Sequence, residues 1–273
     1  MSKTNRSPIE PDSVPVVILC GGRGTRIREV SEVVPKPMIP IGGRPVLWHI
    51  MKIYAAQGFK DFVLCLGYKG WLIKEFFLNY RMMLSDITIR LGSHSETEFH
   101  NNVDEAHWRV TLADTGEHTM TGARVGRVRR YLEDCSHFCL TYGDGVGDVD
   151  LRALMAQHVE SGLIGTLTGV RPASRFGRIE CEDCRITAFD ENPPISADRI
   201  NGGFMVFDAK RVWDYFDDRA DLVLESETLS RLAADGELGV FEHNGFWQCM
   251  DTPREYHLLN EIWDEGGARW KIW

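Results

Sequence analysis

Val14-Pro15-Val16-Val17-Ile18-Leu19-Cys20-Gly21-Gly22-Arg23-Gly24-Thr25-Arg26 is the stretch on which the reading of this chain turns. The apolar run from Val14 to Leu19 has the pattern of a buried first strand. The glycines that follow let the backbone fold tightly around an anion, with main-chain N–H groups aimed at phosphate oxygens. Arg23 and Arg26 add fixed positive charge beside that cradle. So does Lys36 in Pro35-Lys36-Pro37-Met38, where the two prolines restrict how the lysine is presented. The loop is not a Walker A motif, because no Lys-Ser or Lys-Thr pair follows at the required spacing. It is not the dinucleotide fingerprint either, since the third glycine is missing.

Outward from this loop, strand-like runs alternate with helical patterns. Val16–Leu19 precedes a helical segment near Val46–Gln57, Asp61–Leu66 precedes Trp71–Tyr80, and Phe138–Tyr142 precedes Leu151–Glu160 and Leu163–Val170. This alternation predicts an α/β fold: a Rossmann-like, mostly parallel sheet flanked by helices. Residues 81–113 and 171–207 carry shorter runs with turn signals, which predict antiparallel additions. Ile179–Glu180 is expected to pair with Ile186–Phe189, and Gly202–Phe207 to form a further strand. Helical patterns at Ala209–Phe216, Ser226–Ala234 and Pro253–Trp263 predict a C-terminal helical extension. The expected organisation is a flexible tail over 1–13 and one domain over 14–273.

The chain has 31 Lys+Arg against 40 Asp+Glu, so a basic loop within it reads as a pocket for one small polyanion, such as a nucleoside triphosphate, and not as a nucleic-acid surface. No apolar run reaches the roughly 20 residues of a membrane span. The polar N-terminus lacks the apolar core of a signal peptide, and seven cysteines do not suggest a disulfide framework. A cytoplasmic protein is expected. Cys181-Glu182-Asp183-Cys184 has metal-ligand spacing but no second pair, and reads as a hairpin turn.

Asp144, between Gly143 and Gly145, closes the strand Phe138–Tyr142, where carboxylates of a parallel sheet face the ligand crevice. Magnesium takes one or two protein carboxylates plus phosphate oxygens, so Asp144 is a candidate ligand and Asp251 a second. Taken alone, Asp251 before Thr252-Pro253 also reads as a helix cap, as do Asp148 and Asp150 before Leu151. There is no G-x-S-x-G elbow. A phosphate monoester, with a second pKa of ~6, is itself a nucleophile at neutral pH and needs no general base. The protein then supplies position and positive charge.

With these residues placed, the chain resembles the sugar-1-phosphate nucleotidyltransferases, and among them the glucose-1-phosphate cytidylyltransferase branch. Gly21 to Arg26 and Pro35 to Met38 match the signature loop. Leu47 to Lys52, Gly67 to Gly70, Asp114 to Gly116, Met120 to Arg124, Tyr142 to Gly145, Ile200 to Phe204 and Gly245 to Thr252 follow in the same order. The resemblance implies a transfer of CMP from CTP to a sugar 1-phosphate with Mg²⁺, releasing pyrophosphate. It implies that Leu19, Cys20, Gly21, Gly22, Thr25 and Arg26 surround the nucleotide and that Arg26 and Lys36 grip the triphosphate. Thr121 and Arg124 are implied on the nucleotide side, Asp144 and Asp251 on the metal, and Glu191, Asn192, Asn201, Gly202 and Gly203 around the sugar. Arg26, Lys36 and Asp144 are the implied catalytic residues, and a homo-oligomer is implied as the assembly.

One position departs from the resemblance. Its pattern is E-K-P, with the lysine on the acceptor's phosphate, whereas this chain has Glu191-Asn192-Pro193. Three readings stay open: a compensating arginine among Arg175, Arg178 and Arg199, a different phosphorylated acceptor, or a CTP-binding homologue without turnover. An NAD-dependent oxidoreductase would need the glycine fingerprint that this loop breaks.

Overall fold

The computed structural model describes residues 9–22, 33–92, 96–172, 178–182, 185–190 and 199–273. Seven strands form its central sheet: β1 (Val16–Leu19), β2 (Asp61–Leu66), β3 (Arg109–Asp114), β4 (His137–Tyr142), β5 (Gly165–Val170), β6 (Ile200–Asp208) and β7 (Leu238–Glu242). Their order across the sheet is β7-β5-β6-β4-β1-β2-β3. Every neighbouring pair is parallel except those made by β6, which runs antiparallel to β5 and to β4. The expected Rossmann-like, mostly parallel sheet is the observed one.

β1 shows why this sequence makes a central strand. Its residues alternate between two cores, Val16 and Ile18 on one face and Val17 and Leu19 on the other. All four are buried, as continuous apolar strands in parallel sheets are. Helix Val46–Ala56 and the C-terminal helix Pro253–Asp264 cover the first face. Helix Thr121–Arg127 and residues from Val212 to Leu232 cover the second.

The edges depart from the expectation. Within 81–113, Ile87–Arg90 and Glu96–Phe99 do form an antiparallel hairpin, but Arg109–Asp114 joins the main sheet parallel to β2. The parallel edge strand β7 carries no continuous apolar run and is not visible in the sequence. An edge strand buries less of each face, so Arg-Val-Thr-Leu-Ala-Asp and Leu-Gly-Val-Phe-Glu lose the signal. Ile179 pairs with Phe189 across the expected hairpin. Ala209–Phe216 yields only a 3₁₀ turn, Val212–Tyr215. The next helical segment starts at Leu224 with a wide, π-type turn through Leu229, before an α-helix over Ser230–Ala234. At the N-terminus, Ile9 packs against the core and Pro11–Ser13 makes a short turn.

The last twenty or so residues clasp helix Val46–Ala56 through aromatic rings. His49 lies edge-on to Trp48, Trp263 and Trp270, and Lys52 sits over the rings of Trp48 and Trp273. His49 Nε2 bonds the Ile41 carbonyl at 2.9 Å, and its Nδ1 accepts from the Trp270 indole at 3.4 Å. One donor and one acceptor describe a neutral imidazole. Burial accordingly lowers the His49 pKa to about 4, and burial followed by His137 lowers that of His158 to about 4.

These depressed values give a pH dependence with a definite sign. Unfolding releases each imidazole to a value near 6.5, so the unfolded state binds more protons between pH 6.5 and 4. The contribution is complete above pH 6.5 and drains as pH falls through that window. It amounts to ~3 kcal/mol per histidine. Urea midpoints at pH 7, 5.5 and 4.5 should fall in that order, and a flat profile would contradict the neutral assignment.

Candidate active site

The parallel strands β1, β2, β3 and β4 all end on one side of the sheet. The chain runs outward from β1 to β2 and β3, then returns to β4 on the opposite side of β1. That reversal opens a crevice at the carboxyl ends of β1 and β4. A cleft of about 380 Å³ occupies it. Leu19, Gly21 and Gly22 line it from the end of β1, and Lys36 and Pro37 from the segment that follows.

Three distant segments bring opposite charges together in this cleft. Lys36 opens a 3₁₀ turn, Lys36–Met38, closed by a bond from the Met38 N–H to the Pro35 carbonyl at 2.8 Å. Asp144 follows β4, where Gly143 donates its N–H to the Leu19 carbonyl at 3.1 Å. Asp251 lies just before the C-terminal helix. A two-stranded ribbon, Gly145–Gly147 against Trp247–Cys249, splices the two aspartate segments side by side. The Met250 N–H then bonds the Asp144 carbonyl at 2.9 Å. Asp251 is not the helix cap. Thr252 caps, and Glu255 takes the Asp251 and Thr252 N–H groups at 2.7 and 2.9 Å. The Asp251 carboxylate is left to face the cleft.

The Lys36 ammonium lies between the carboxylates, donating to Asp144 Oδ2 at 2.5 Å and to Asp251 Oδ1. Burial alone would lower the Lys36 pKa. The charges and hydrogen bonds of Asp144 and Asp251 outweigh it and raise the value, so the ammonium stays charged. Two carboxylates that converge on one cation form a donor set that also suits a divalent ion with phosphate oxygens completing its shell.

Other expected residues are distributed differently. Thr121 lines the cleft, donating to Glu225 at 2.8 Å and accepting from the Leu224 N–H at 3.0 Å. Arg124 also borders the cleft, but its guanidinium is committed to the protein itself. It donates to Gly21 O, Leu66 O, Gly116 O, Glu117 O and Thr115 Oγ1 at 2.7–3.3 Å. A Cβ on Gly21 or Gly67 would lie 2.1 or 2.4 Å from that guanidinium, so both glycines make room for it. Arg124 ties down the loops after β1, β2 and β3 from beneath. The Cys20 thiol is buried in the core, and Cys20 is not among the residues that line the cleft. Asn201 and Gly203 lie behind Tyr142, with the Asn201 amide 3.4 Å from the Tyr142 hydroxyl. The Gly202 carbonyl accepts from the Trp247 indole at 2.8 Å. Asp150 caps helix Leu151–Ser161 as expected, whereas Asp148 instead accepts from the Phe246 N–H and pairs with His243 and Arg269. Arg23, Thr25, Arg26, Arg175, Glu191 and Asn192 lie outside the described residues.

The sequence reading missed Glu225 and the Tyr142 side chain as cleft-lining groups. Glu225 lies on the π-type turn, a feature with no sequence signature. Tyr142 was visible as the end of a strand and as part of the Tyr142 to Gly145 match, with no role for its side chain.

Sequence comparison places these features. The nucleotidyl transferase family matches residues 15–257, the whole sheet and all three charged segments. The chain belongs to that family. It is 46% identical to glucose-1-phosphate cytidylyltransferase of Salmonella typhi over 94% of this chain and 98% of the relative. It is 27% identical to mannose-1-phosphate guanyltransferase of Schizosaccharomyces pombe over 88% of this chain and 61% of that protein. HddC from Yersinia pseudotuberculosis superimposes with a TM-score of 0.65 at 22% identity, covering 92% of this chain and 99% of that one, which establishes the same fold.

Arg199 is the arginine near Asn192 in sequence whose contacts the structure describes. Arg199 donates to Gly169 O, His243 O, Asn244 and Glu242, so its guanidinium is engaged in holding β5 and the segment after β7.

Proposed function

We propose that this nucleotidyl transferase moves CMP from CTP to a sugar 1-phosphate, in the first instance glucose 1-phosphate, giving a CDP-sugar and pyrophosphate. The observation that carries the reading is the convergence of Lys36, Asp144 and Asp251 at the β1–β4 crevice of a chain 46% identical to a glucose-1-phosphate cytidylyltransferase. The acceptor's phosphate oxygen attacks the α-phosphorus of CTP. The new P–O bond forms as the bond to the β-phosphate bridging oxygen breaks, and pyrophosphate departs with that electron pair. Gly21 and Gly22 offer an unobstructed backbone to the triphosphate. Lys36 stabilises charge on the α-phosphate and the leaving group, a role that Arg26 shares. Asp144 and Asp251 would hold Mg²⁺, which supplies Lewis-acid neutralisation of the phosphates. The acidic chain fits small phosphorylated substrates and not nucleic acid. Among the described residues no helix is long and apolar enough to cross a membrane. We place the enzyme in the cytoplasm, as a homo-oligomer like its family.

Pyrophosphate release with Mg²⁺, glucose 1-phosphate and each of ATP, CTP, GTP, UTP and dTTP tests the reading. Release with CTP alone is expected. No release with any of them, alongside CTP binding by calorimetry, would overturn glucose 1-phosphate as the acceptor and point first to a different phosphorylated acceptor and second to a non-catalytic homologue. A second reading, a different phosphorylated acceptor, is supported by one observation: the Arg199 guanidinium is engaged by Gly169 O and Glu242. Asn192→Lys should lower the KM for glucose 1-phosphate if charge is limiting, since charge-assisted bonds are about twice as strong as neutral ones. An unchanged or higher KM would point to another acceptor.

A further inference from the structure

A carboxylate faces the same cleft and has no place in the phosphate chemistry. Glu225 lines the cavity together with Tyr142 and Thr121. Its Oε1 accepts from the Tyr142 hydroxyl at 2.6 Å and its Oε2 from the Thr121 hydroxyl at 2.8 Å. Each oxygen therefore has one protein donor and a second acceptor site left for a ligand. Glu225 is exposed to the cleft, and the two donors that hold its carboxylate are themselves placed by the fold. Tyr142 packs directly over Gly203 and also receives the Asn201 amide, while Thr121 is fixed by the Leu224 N–H. The wide turn over Leu224–Leu229 swings Glu225 toward the cleft, and such turns recur at functional sites.

A fixed anion in a polyphosphate cleft repels phosphate and calls for a donor. Two oxygens presented side by side match two hydroxyls on adjacent carbons. We infer that Glu225 is a specificity-determining residue that receives a vicinal diol of a substrate, from either the ribose of the nucleotide or the pyranose of the acceptor. This rests on the nucleotidyl-transfer reading for the choice of ligand. The contact discriminates sharply, because a substrate lacking either hydroxyl leaves a charged acceptor unpaired.

The test compares wild type with Glu225→Gln by calorimetry, which needs no turnover. One arm uses CTP, UTP, 2′-deoxy-CTP and 3′-deoxy-CTP. The other uses glucose 1-phosphate and its 2-deoxy and 3-deoxy analogues. Wild type should favour the full diol by about 10-fold or more in one arm, and Glu225→Gln should cut that preference to about 3-fold or less. The arm that responds identifies the source. Preferences within two-fold of wild type in both arms would overturn the inference. So would a change confined to the preference for CTP over UTP, which would assign Glu225 to the base. If Glu225→Gln does not fold, Tyr142→Phe leaves the charge but frees the carboxylate, and should shrink the same preference. A wild type that shows the diol preference but releases no pyrophosphate would sink the transfer reading alone.

Discussion

Asp144→Asn should lower kcat by at least about 10²–10³-fold, the scale of loss when one preorganised electrostatic group is removed from an active site. The change is isosteric and leaves the fold alone. The ribbon beside Asp144 is held by main-chain bonds, including Met250 N–H to Asp144 O, which asparagine keeps. What it removes is one of two negative charges around a single cation. The remaining carboxylate, Asp251, then faces Lys36 alone, and the donor set for a divalent ion falls to one carboxylate. Thermal melting should therefore move little while pyrophosphate release nearly vanishes. Manganese in place of magnesium should restore little. Appreciable turnover by Asp144→Asn would sink the assignment of this pair as the metal seat.

Arg124→Met should be the most damaging single change to both stability and nucleotide binding. Methionine fills similar space but donates nothing, and the guanidinium now makes five bonds to three loops. Charge-assisted bonds are worth roughly 1.5–3 kcal/mol each, and several are lost together, so a destabilisation of about 3 kcal/mol or more is expected. Gly116 O and Glu117 O lose their Arg124 donor, while Gly21 O keeps the Tyr68 N–H at 3.2 Å. Because Gly21 is the first residue of the anion cradle, the KM for CTP should rise by roughly 10-fold or more. Arg124→Lys should fall between, with its shorter reach and only three donors. Denaturant midpoints and KM values for the two variants check this. An Arg124→Met protein as stable as wild type, with an unchanged KM, would show that the loops hold themselves.

How far the sequence carried the site depended on whether each signal was local. β1 was legible because a strand buried on both faces is a continuous apolar run. Asp144 was legible because it ends such a strand between glycines. β3 and β7 were not, since edge strands mix Arg, Thr, Gly and Glu into their pattern. Arg124 was visible as a match to a family motif, yet its role as a tie beneath Gly21 and Gly67 is a matter of packing that no spacing encodes. Glu225 was invisible because a π-type turn decides where it points. The pairing of Asp251 with Asp144 depends on a three-residue ribbon between segments far apart in the chain, too short to register as a strand pattern.

That ribbon has a consequence for the order in which the protein becomes active. Lys36 and Asp251 are 215 residues apart, and Asp251 is positioned by Trp247–Cys249 and the capped helix behind it. A ribosome delivers the N-terminal end first. A nascent chain thus has its glycine loop, Lys36 and Asp144 well before it has the second carboxylate. Until the helix Pro253–Asp264 has followed, the cleft holds Lys36 with one of its two carboxylates. The charge cluster on which the proposed chemistry rests is in this way assembled late in synthesis, and a chain that stops before residue 251 lacks its second carboxylate.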